Sequence, residues 1–331
     1  MQATRVTRRH LLAAGTGALA GFPSVLRAQT GAWPNRPVRI INPYGPGGTA
    51  DIMVRPLTEK LERAFGRPFI VENRPGAGGS IGTGVAAAER PDGHALLVSN
   101  TGPLAVAPAV FRNLTYDPAR AFSWIAMLGG APILCAVKAG GPVRSLPDYI
   151  AAAKAAPEAV TFGSSGIASA GHLAGALFSM EVGAQLLHIP FRSAAEAQQS
   201  LLGGNVGSLW DTLAPQAEAV RAGSLLGLAV TSAERVPAVP EVPTVAELGL
   251  PAVTSNNWFL LAGPAGMDPA IVARLHQVVA ETFAEPATRQ RLVNAGIVSL
   301  GDPSPEEIGR FVAAEGARWG RVVRAANVQV G

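Results

Sequence analysis

The chain has 331 residues, 48% of them hydrophobic and 15% charged, with a single cysteine. That length and apolar content suffice for a packed core without disulfides and suggest two domains. The formal net charge of +4 is matched by Arg5, Arg8, Arg9 and Arg27 in residues 1–28, which hold no acid. The remainder is near neutral, so nothing in its charge implies nucleic acid or an anionic membrane as partner.

Residues 1–28 read as an export signal. A basic start is followed by an apolar stretch from Leu11 to Leu26 and a small-residue exit at Ala28. Thr7-Arg8-Arg9-His10-Leu11-Leu12 adds the twin-arginine pattern. Cleavage near Ala28 would release the chain to the periplasm. No cysteine near that point offers a lipid anchor.

Past the signal, short apolar runs alternate with helical patterns. Strands are expected at Val38–Asn42, Phe69–Val71 and Ala95–Ser99. Between them a helix is expected over Thr49–Phe65, where Met53, Leu57, Leu61 and Phe65 share one face and Pro56 should kink or break it, and another over Ser80–Ala88. Cys135 falls in the apolar run Ile133–Val137 and reads as an inert buried residue. The pattern resumes with helices at Leu146–Ala155, Ala194–Leu202 and Thr212–Ala222. Strands are expected around Val160, Leu187 and Val206 and at Leu225–Val230. Such alternation predicts open, largely parallel α/β sheets covered by helices on both faces.

After a strand near Trp258–Ala262 the tail reads as helical: Pro269–Phe283, Pro286–Ala295 and Pro305–Ala325, the last opened by a Ser304/Glu307 capping box. A tail of this kind packs back on an earlier domain. Crossings near Trp124–Ala131 and Pro251–Asn257 would then give two lobes, 31–126 plus 254–331 and 127–253, with a hinged cleft between them. Ligands of such sheets bind beyond the carboxyl ends of strands.

Three strand–turn junctions carry candidate chemistry. The first is Pro43-Tyr44-Gly45-Pro46-Gly47-Gly48-Thr49-Ala50-Asp51, where glycines admit a ligand to the backbone and Thr49 or Asp51 can cap the helix. The second, Asn73 to Gly82, spaces Gly76, Gly78 and Gly82 one step away from the dinucleotide fingerprint. Asp92 downstream lies in a Pro-Asp-Gly turn, so tight helix–sheet packing is the better reading.

The third junction is Phe162 to His172, a short strand ending in Ser164-Ser165-Gly166-Ile167-Ala168-Ser169 before a helix. Backbone N–H groups, hydroxyls and the helix N-terminus converge there as an anion cradle. Its serines lack the G-x-S-x-G elbow of a serine hydrolase. His172 lies within the following helix, while His188 remains available as a base. Asp211 ends a strand at Val206-Gly207-Ser208-Leu209-Trp210-Asp211; it either caps the next helix or receives a donor from a ligand, and Trp210 walls the cleft or sits in the core. His94 and His276 read as turn and helix-surface residues. No metal-binding or Walker spacing is present.

These segments together resemble the Bug family, the extracytoplasmic solute receptors of tripartite tricarboxylate transporters. The likeness spans the mature chain. It runs from Trp33-Pro34-Asn35-Arg36-Pro37 through Pro46-Gly47-Gly48 with Asp51, Val71 to Gly79, Pro91-Asp92-Gly93 and Tyr116-Asp117-Pro118. Then come Ser164-Ser165-Gly166 with His172-Leu173-Ala174, His188-Ile189-Pro190-Phe191, Leu201 to Gly204, Leu228 to Thr231 and Val242 to Val245.

The resemblance implies a two-lobed type II periplasmic-binding-protein fold, two doubly wound sheets joined by a two-crossing hinge, closing on a small carboxylate. It implies no cofactor, no metal and no catalysis, a monomer, and delivery to integral-membrane transporter subunits. By the same resemblance Tyr44, Pro46, Gly47, Gly48 and Asp51 meet one end of the ligand. Ser164, Ser165, Gly166, Ala168 and Ser169 hold a carboxylate, and Thr101 and Asp211 line the rest. This chain departs from the family at Ala168-Ser169, where Gly-Thr is common, and at Ala170-Gly171, where more polar residues are common. Further departures are Arg192-Ser193 for Lys-Gly, Ser200 for Asp and Gly45 for Ala. The competing readings are an exported serine hydrolase and a ligand-sensing component for a signalling partner.

Overall fold

The structure, a computed structural model, describes residues 33–325; the expected export signal lies outside the described residues. The chain opens with strand β1 (Val38–Asn42), helix α1 (Thr49–Phe65), β2 (Phe69–Asn73), α2 (Ser80–Ala87) and β3 (Ala95–Asn100). A π-helical turn at Gly102–Val106 leads into α3 (Ala107–Val110) and then the long strand β4 (Phe122–Ala131). After Pro132 come β5 (Ile133–Lys138), α4 (Leu146–Ala155), β6 (Thr161–Ser164), α5 (Ala170–Val182) and β7 (Leu187–Pro190). Next follow α6 (Ala194–Leu202), β8 (Ser208–Thr212), α7 (Ala217–Arg221) and β9 (Leu225–Val230). Strand β10 (Asn257–Pro264) precedes the helical tail, α8 (Pro269–Ala284), α9 (Pro286–Asn294) and α10 (Pro305–Ala325).

Two five-stranded sheets result, ordered β2-β1-β3-β10-β4 and β7-β6-β8-β5-β9. Both are mixed, where the sequence predicts largely parallel sheets. β10 runs antiparallel to β3 and β4, and β5 antiparallel to β8 and β9. The cause is connectivity. A parallel neighbour needs a long crossover, usually a helix. β5 follows β4 across one residue, Pro132, and β10 follows the second sheet with no more than the single 3₁₀ turn Pro251–Val253 between it and β9, so each enters its sheet against the prevailing direction.

Alternate residues of the buried strands feed opposite layers of core, as expected of a sheet covered on both faces. Ile40 and Leu96 pack with Met53, Leu57 and Leu61 of α1 and Leu275 and Val279 of α8. Ile41 and Leu97 pack on the other face with Ile308, Val312, Trp319 and Val323 of α10. The tail therefore returns to the first sheet, where Glu315 accepts from the indoles of both Trp258 and Trp319. Ser304 and Glu307 make the reciprocal capping bonds that open α10.

Two expectations are corrected. Pro56 does not break α1: its missing N–H costs one bond, and the buried stripe of Met53, Val54, Leu57 and Leu61 carries the helix through. The helix expected over Thr212–Ala222 shrinks to Ala217–Arg221, because β8 continues to Thr212 and Pro215 disfavours helical backbone at Ala214. His94 sits in the bend before β3, as expected, and is buried there beside Trp33, with Nδ1 3.2 Å from Asp92. Cys135 is buried as expected, and burial pushes its thiol pKa up. No helix among the described residues is long and apolar enough to cross a membrane.

Candidate functional site

The carboxyl ends of β1, β2 and β3 are all asparagines, and all three hold one tyrosine. Asn42 Oδ1 accepts from the Tyr44 N–H (3.2 Å), Asn73 Nδ2 donates to the Tyr44 carbonyl (2.8 Å), and Asn100 Oδ1 lies 2.9 Å from the Tyr44 hydroxyl. That hydroxyl also lies 2.9 Å from the Gly78 carbonyl. The phenol is buried, and burial drives its pKa upward, so it stays protonated. Asp51 closes the same loop from behind: its carboxylate accepts from the Gly47 N–H (2.7 Å) and Asn42 Nδ2 (3.0 Å) and pairs with Arg55 (3.3 Å). Pro46 and Gly47 form the exposed tip of the loop.

On the second sheet the Ser164–Ser169 turn connects β6 to α5. Ser169 caps α5 by accepting the His172 N–H (3.2 Å). Ala168 sits at φ +64°, a left-handed conformation that costs a non-glycine residue energy and that glycine adopts freely. Its amide donates to His172 Nδ1 (3.1 Å). The Ser164 hydroxyl lies 2.7 Å from His188 Nε2 and 3.2 Å from the Ser169 hydroxyl.

Asp211 does not cap α7. Its carboxylate accepts from the Ser165 N–H (2.5 Å) and the Thr212 N–H (2.7 Å), with the Ser165 hydroxyl 3.4 Å away. Burial pushes its pKa up to about 6, against the opposing pull of the Thr212 and Ser165 bonds.

The two sides meet. The Gly45 N–H donates to the Arg192 carbonyl (3.1 Å), and the Thr49 and Thr212 hydroxyls are 2.7 Å apart. Gly78 faces the peptide of Ile167 so closely that a Cβ there would lie 2.0 Å from its oxygen. Between these contacts remains a space of about 20 Å³, the room of one water. Tyr44, Gly48, Ser165 and Asp211 line it, together with Thr49, Ala50, Asn100, Ala194, Thr212, Asn257 and Phe259. It is thus flanked by the N-terminal turns of α1 and α6, each with partial positive charge.

Of the residues picked out in the sequence, Thr101 lies behind this wall with its hydroxyl accepting the Trp258 N–H (3.1 Å), and Asp51 is likewise behind the loop. Ser164, Gly166, Ala168 and Ser169 make up the adjoining turn. Trp210 and Trp258 are core residues. Arg192 is exposed, and its backbone N–H donates to Glu196 in the capping turn of α6. The asparagines at strand ends and Thr212 at the end of β8 are the residues that motif reading passes over. Their signal was position at the end of a strand, since a polar residue closing a buried apolar run often faces a ligand crevice.

A model of the tripartite tricarboxylate transporter family receptors matches residues 53–328. The chain belongs to this family. The Bordetella pertussis protein BugT is 33% identical over 314 residues, covering 95% of each chain. Among solved structures, MatC of Rhodopseudomonas palustris with bound malate superposes with a TM-score of 0.84 at 29% identity, over 88% of this chain and all of that one. Rpa4515 of R. palustris with adipate gives 0.86 at 31%, over 90% of this chain and all of that one. The protein is therefore a periplasmic solute-binding receptor of the Bug type, with the fold that the resemblance implies.

Proposed function

We propose that this receptor captures a small carboxylate between its two sheets and delivers it to a membrane transporter of the tripartite tricarboxylate type, without catalysing a reaction. The observation that carries the reading is the convergence on one crevice of two helix N-termini, the Ser164–Ser169 turn and the Thr49 and Thr212 hydroxyls. Relatives with malate and adipate bound support the ligand class. Hydrogen bonds to a charged group contribute about 1.5–3 kcal/mol each. A few of them, preorganised, reach micromolar affinity, about −8 kcal/mol.

The crevice has room for one water, so a dicarboxylate enters only when the two sides part. The lobes of that motion are drawn at 31–126 plus 254–331 and 127–253; Met127–Ala131 still pair with β10 of the first sheet, so the hinge on that side is the direct crossing at Pro132, and the segment after Val253 is the other. Tyr44, Pro46, Gly47, Gly48 and Asp51 form the first-lobe wall. Ser164, Ser165, Gly166, Ala168 and Ser169 form the cradle, and Thr101 and Asp211 complete the surround. Secretion follows twin-arginine export with cleavage near Ala28, and the receptor works as a monomer.

A thermal-shift screen of mono-, di- and tricarboxylates and aromatic acids tests the class. A melting temperature raised by a cationic or neutral solute and by no carboxylate refutes it. Ser165→Ala should weaken the carboxylate found, measured by calorimetry; unchanged affinity removes Ser165 from the site.

A serine-hydrolase reading has one observation in its favour, the 2.7 Å approach of Ser164 to His188. Against it, Ser164 is fully buried, and the face of His188 is covered by His172 at 4.1 Å. A fluorophosphonate probe should leave the protein unlabelled; labelling at Ser164 would favour the hydrolase.

A further inference from the structure

Two histidines that motif reading leaves without a role lie together directly behind the cradle. His172 and His188 stack with ring centroids 4.1 Å apart and planes 21° from parallel, and the Phe162 ring stands 4.8 Å from His188. Each ring is spent on a different part of the Ser164–Ser169 turn. His172 Nδ1 receives the amide of Ala168, the residue held in left-handed backbone, and His188 Nε2 is bonded to the Ser164 hydroxyl. An imidazole accepts a hydrogen bond only at an unprotonated nitrogen. The Ala168 bond therefore fixes His172 as the neutral tautomer with its proton on Nε2.

We propose that His172 and His188 are positioning residues of the carboxylate cradle: stacked and neutral, they hold the Ala168 amide and the Ser164 hydroxyl in the arrangement that receives the ligand. The proposal rests on the carboxylate reading above for its consequence, though not for its geometry.

Three observations converge on it. A strained backbone persists only where its surroundings hold it, and the one bond given to the Ala168 amide is to His172. Ser164 has hydrogen-bond neighbours in Ser169, Gly166 and His188, and the shortest contact is to His188. Burial lowers the pKa of His172 to about 4, and burial with the neighbouring His172 lowers that of His188 to about 3, so both rings are uncharged at neutral pH. A protonated His172 would turn a second donor toward the Ala168 N–H and leave that amide without an acceptor.

The test separates this role from simple packing. His172→Phe keeps an aromatic ring against His188 and removes the acceptor; His172→Asn restores an acceptor oxygen near the place of Nδ1. Ring ¹⁵N shifts of the full mature chain at pH 7 should report the Nε2–H tautomer for His172. Amide exchange at Ala168 should quicken roughly tenfold in His172→Phe and return toward the native rate in His172→Asn. Calorimetry with malate and adipate should show the same order of affinities. An Nδ1–H tautomer, or native exchange at Ala168 in His172→Phe, overturns the proposal. If neither acid binds the native protein while tautomer and exchange are as expected, the positioning stands and the ligand class falls. Should His172→Phe not fold, the tautomer in the native protein and the His172→Asn exchange rate still decide.

Discussion

Gly78→Ala tests closure most directly. Gly78 lies at φ +59°, ψ 26° in the turn before α2, on the first-sheet side, and an added Cβ would sit 2.0 Å from Ile167 O and 2.9 Å from Ser169 N on the second-sheet side. Two costs arise, and they fall on different states. Left-handed backbone costs alanine about 1–2 kcal/mol whether the sides are together or apart. It is partly offset by the 0.4–1 kcal/mol that alanine saves in the unfolded chain. The collision exists only when the sides meet, and forcing such a contact costs roughly 1–3 kcal/mol. If carboxylate binding requires that meeting, affinity should fall about 5- to 150-fold at 1.4 kcal/mol per tenfold, while stability falls by no more than the net backbone cost of about 1.6 kcal/mol. Gly66→Ala is the control: its φ of +68° imposes the same backbone cost, and nothing lies within 4 Å of the new Cβ. Calorimetry on both variants, with solution scattering at saturating ligand, reads the difference. Affinity within twofold of native in Gly78→Ala would show that the bound state does not bring these loops together.

Two further outcomes follow from the same geometry. Gly171→Ala would place a Cβ 2.2 Å from Trp210 O, between α5 and β8 of one sheet layer, where no hinge relieves it; urea unfolding should show a loss of about 1–3 kcal/mol, and an unchanged midpoint would refute the packing. The histidine pair sets an acid limit: both rings have folded pKa values below the ordinary 6.5, so the unfolded chain binds protons first and stability falls as pH drops from about 6.5 toward 4, by at most about 1.4 kcal/mol per pH unit per ring. His172→Asn should flatten that slope in urea melts between pH 7 and 4.5, and an identical slope would mean that His172 does not titrate in this window.

Much of the fold can be read from the chain because local signals agree with it. Ser193 with Glu196 and Ser304 with Glu307 mark the starts of α6 and α10, and the apolar stripe of α1 outweighs Pro56. Strand direction is not local: the reversal of β5 and β10 depends on which sheet the chain has just left. The glycine run at 76–82 is legible only as a near-fingerprint, yet its glycines admit neighbouring backbone. A Cβ at Gly82 would lie 2.6 Å from Arg74 O and 2.8 Å from Pro43 Cα. The brace on Tyr44 joins residues up to 56 positions apart, and an asparagine closing a strand looks like any turn signal until the three strand ends come together. The glycine that the resemblance leads one to expect at position 168 has a physical reason in the left-handed backbone that this chain gives to alanine.

If the crevice receives a carboxylate, as proposed, a wall without an arginine or lysine has to balance charge by other means, and this one also contains Asp211. Helix N-termini offer about 0.3–1 kcal/mol each, up to ~2 kcal/mol when partly buried, so α1 and α6 alone do not outweigh a second negative charge at close range. Asp211 is buried with a pKa already near 6, and its oxygens are engaged by the amides of Ser165 and Thr212. A carboxylate arriving beside it raises that pKa further, because like charges disfavour ionisation. Binding near pH 6 should therefore take up a fraction of a proton. Calorimetric binding heats measured at pH 6 in buffers of different ionisation enthalpy should differ accordingly, and affinity should rise as pH falls from 7 to 6. In Asp211→Asn the buffer dependence should vanish. Heats independent of buffer in the native protein would mean that Asp211 stays ionised beside the ligand, with the amides of Ser165 and Thr212 neutralising it unaided.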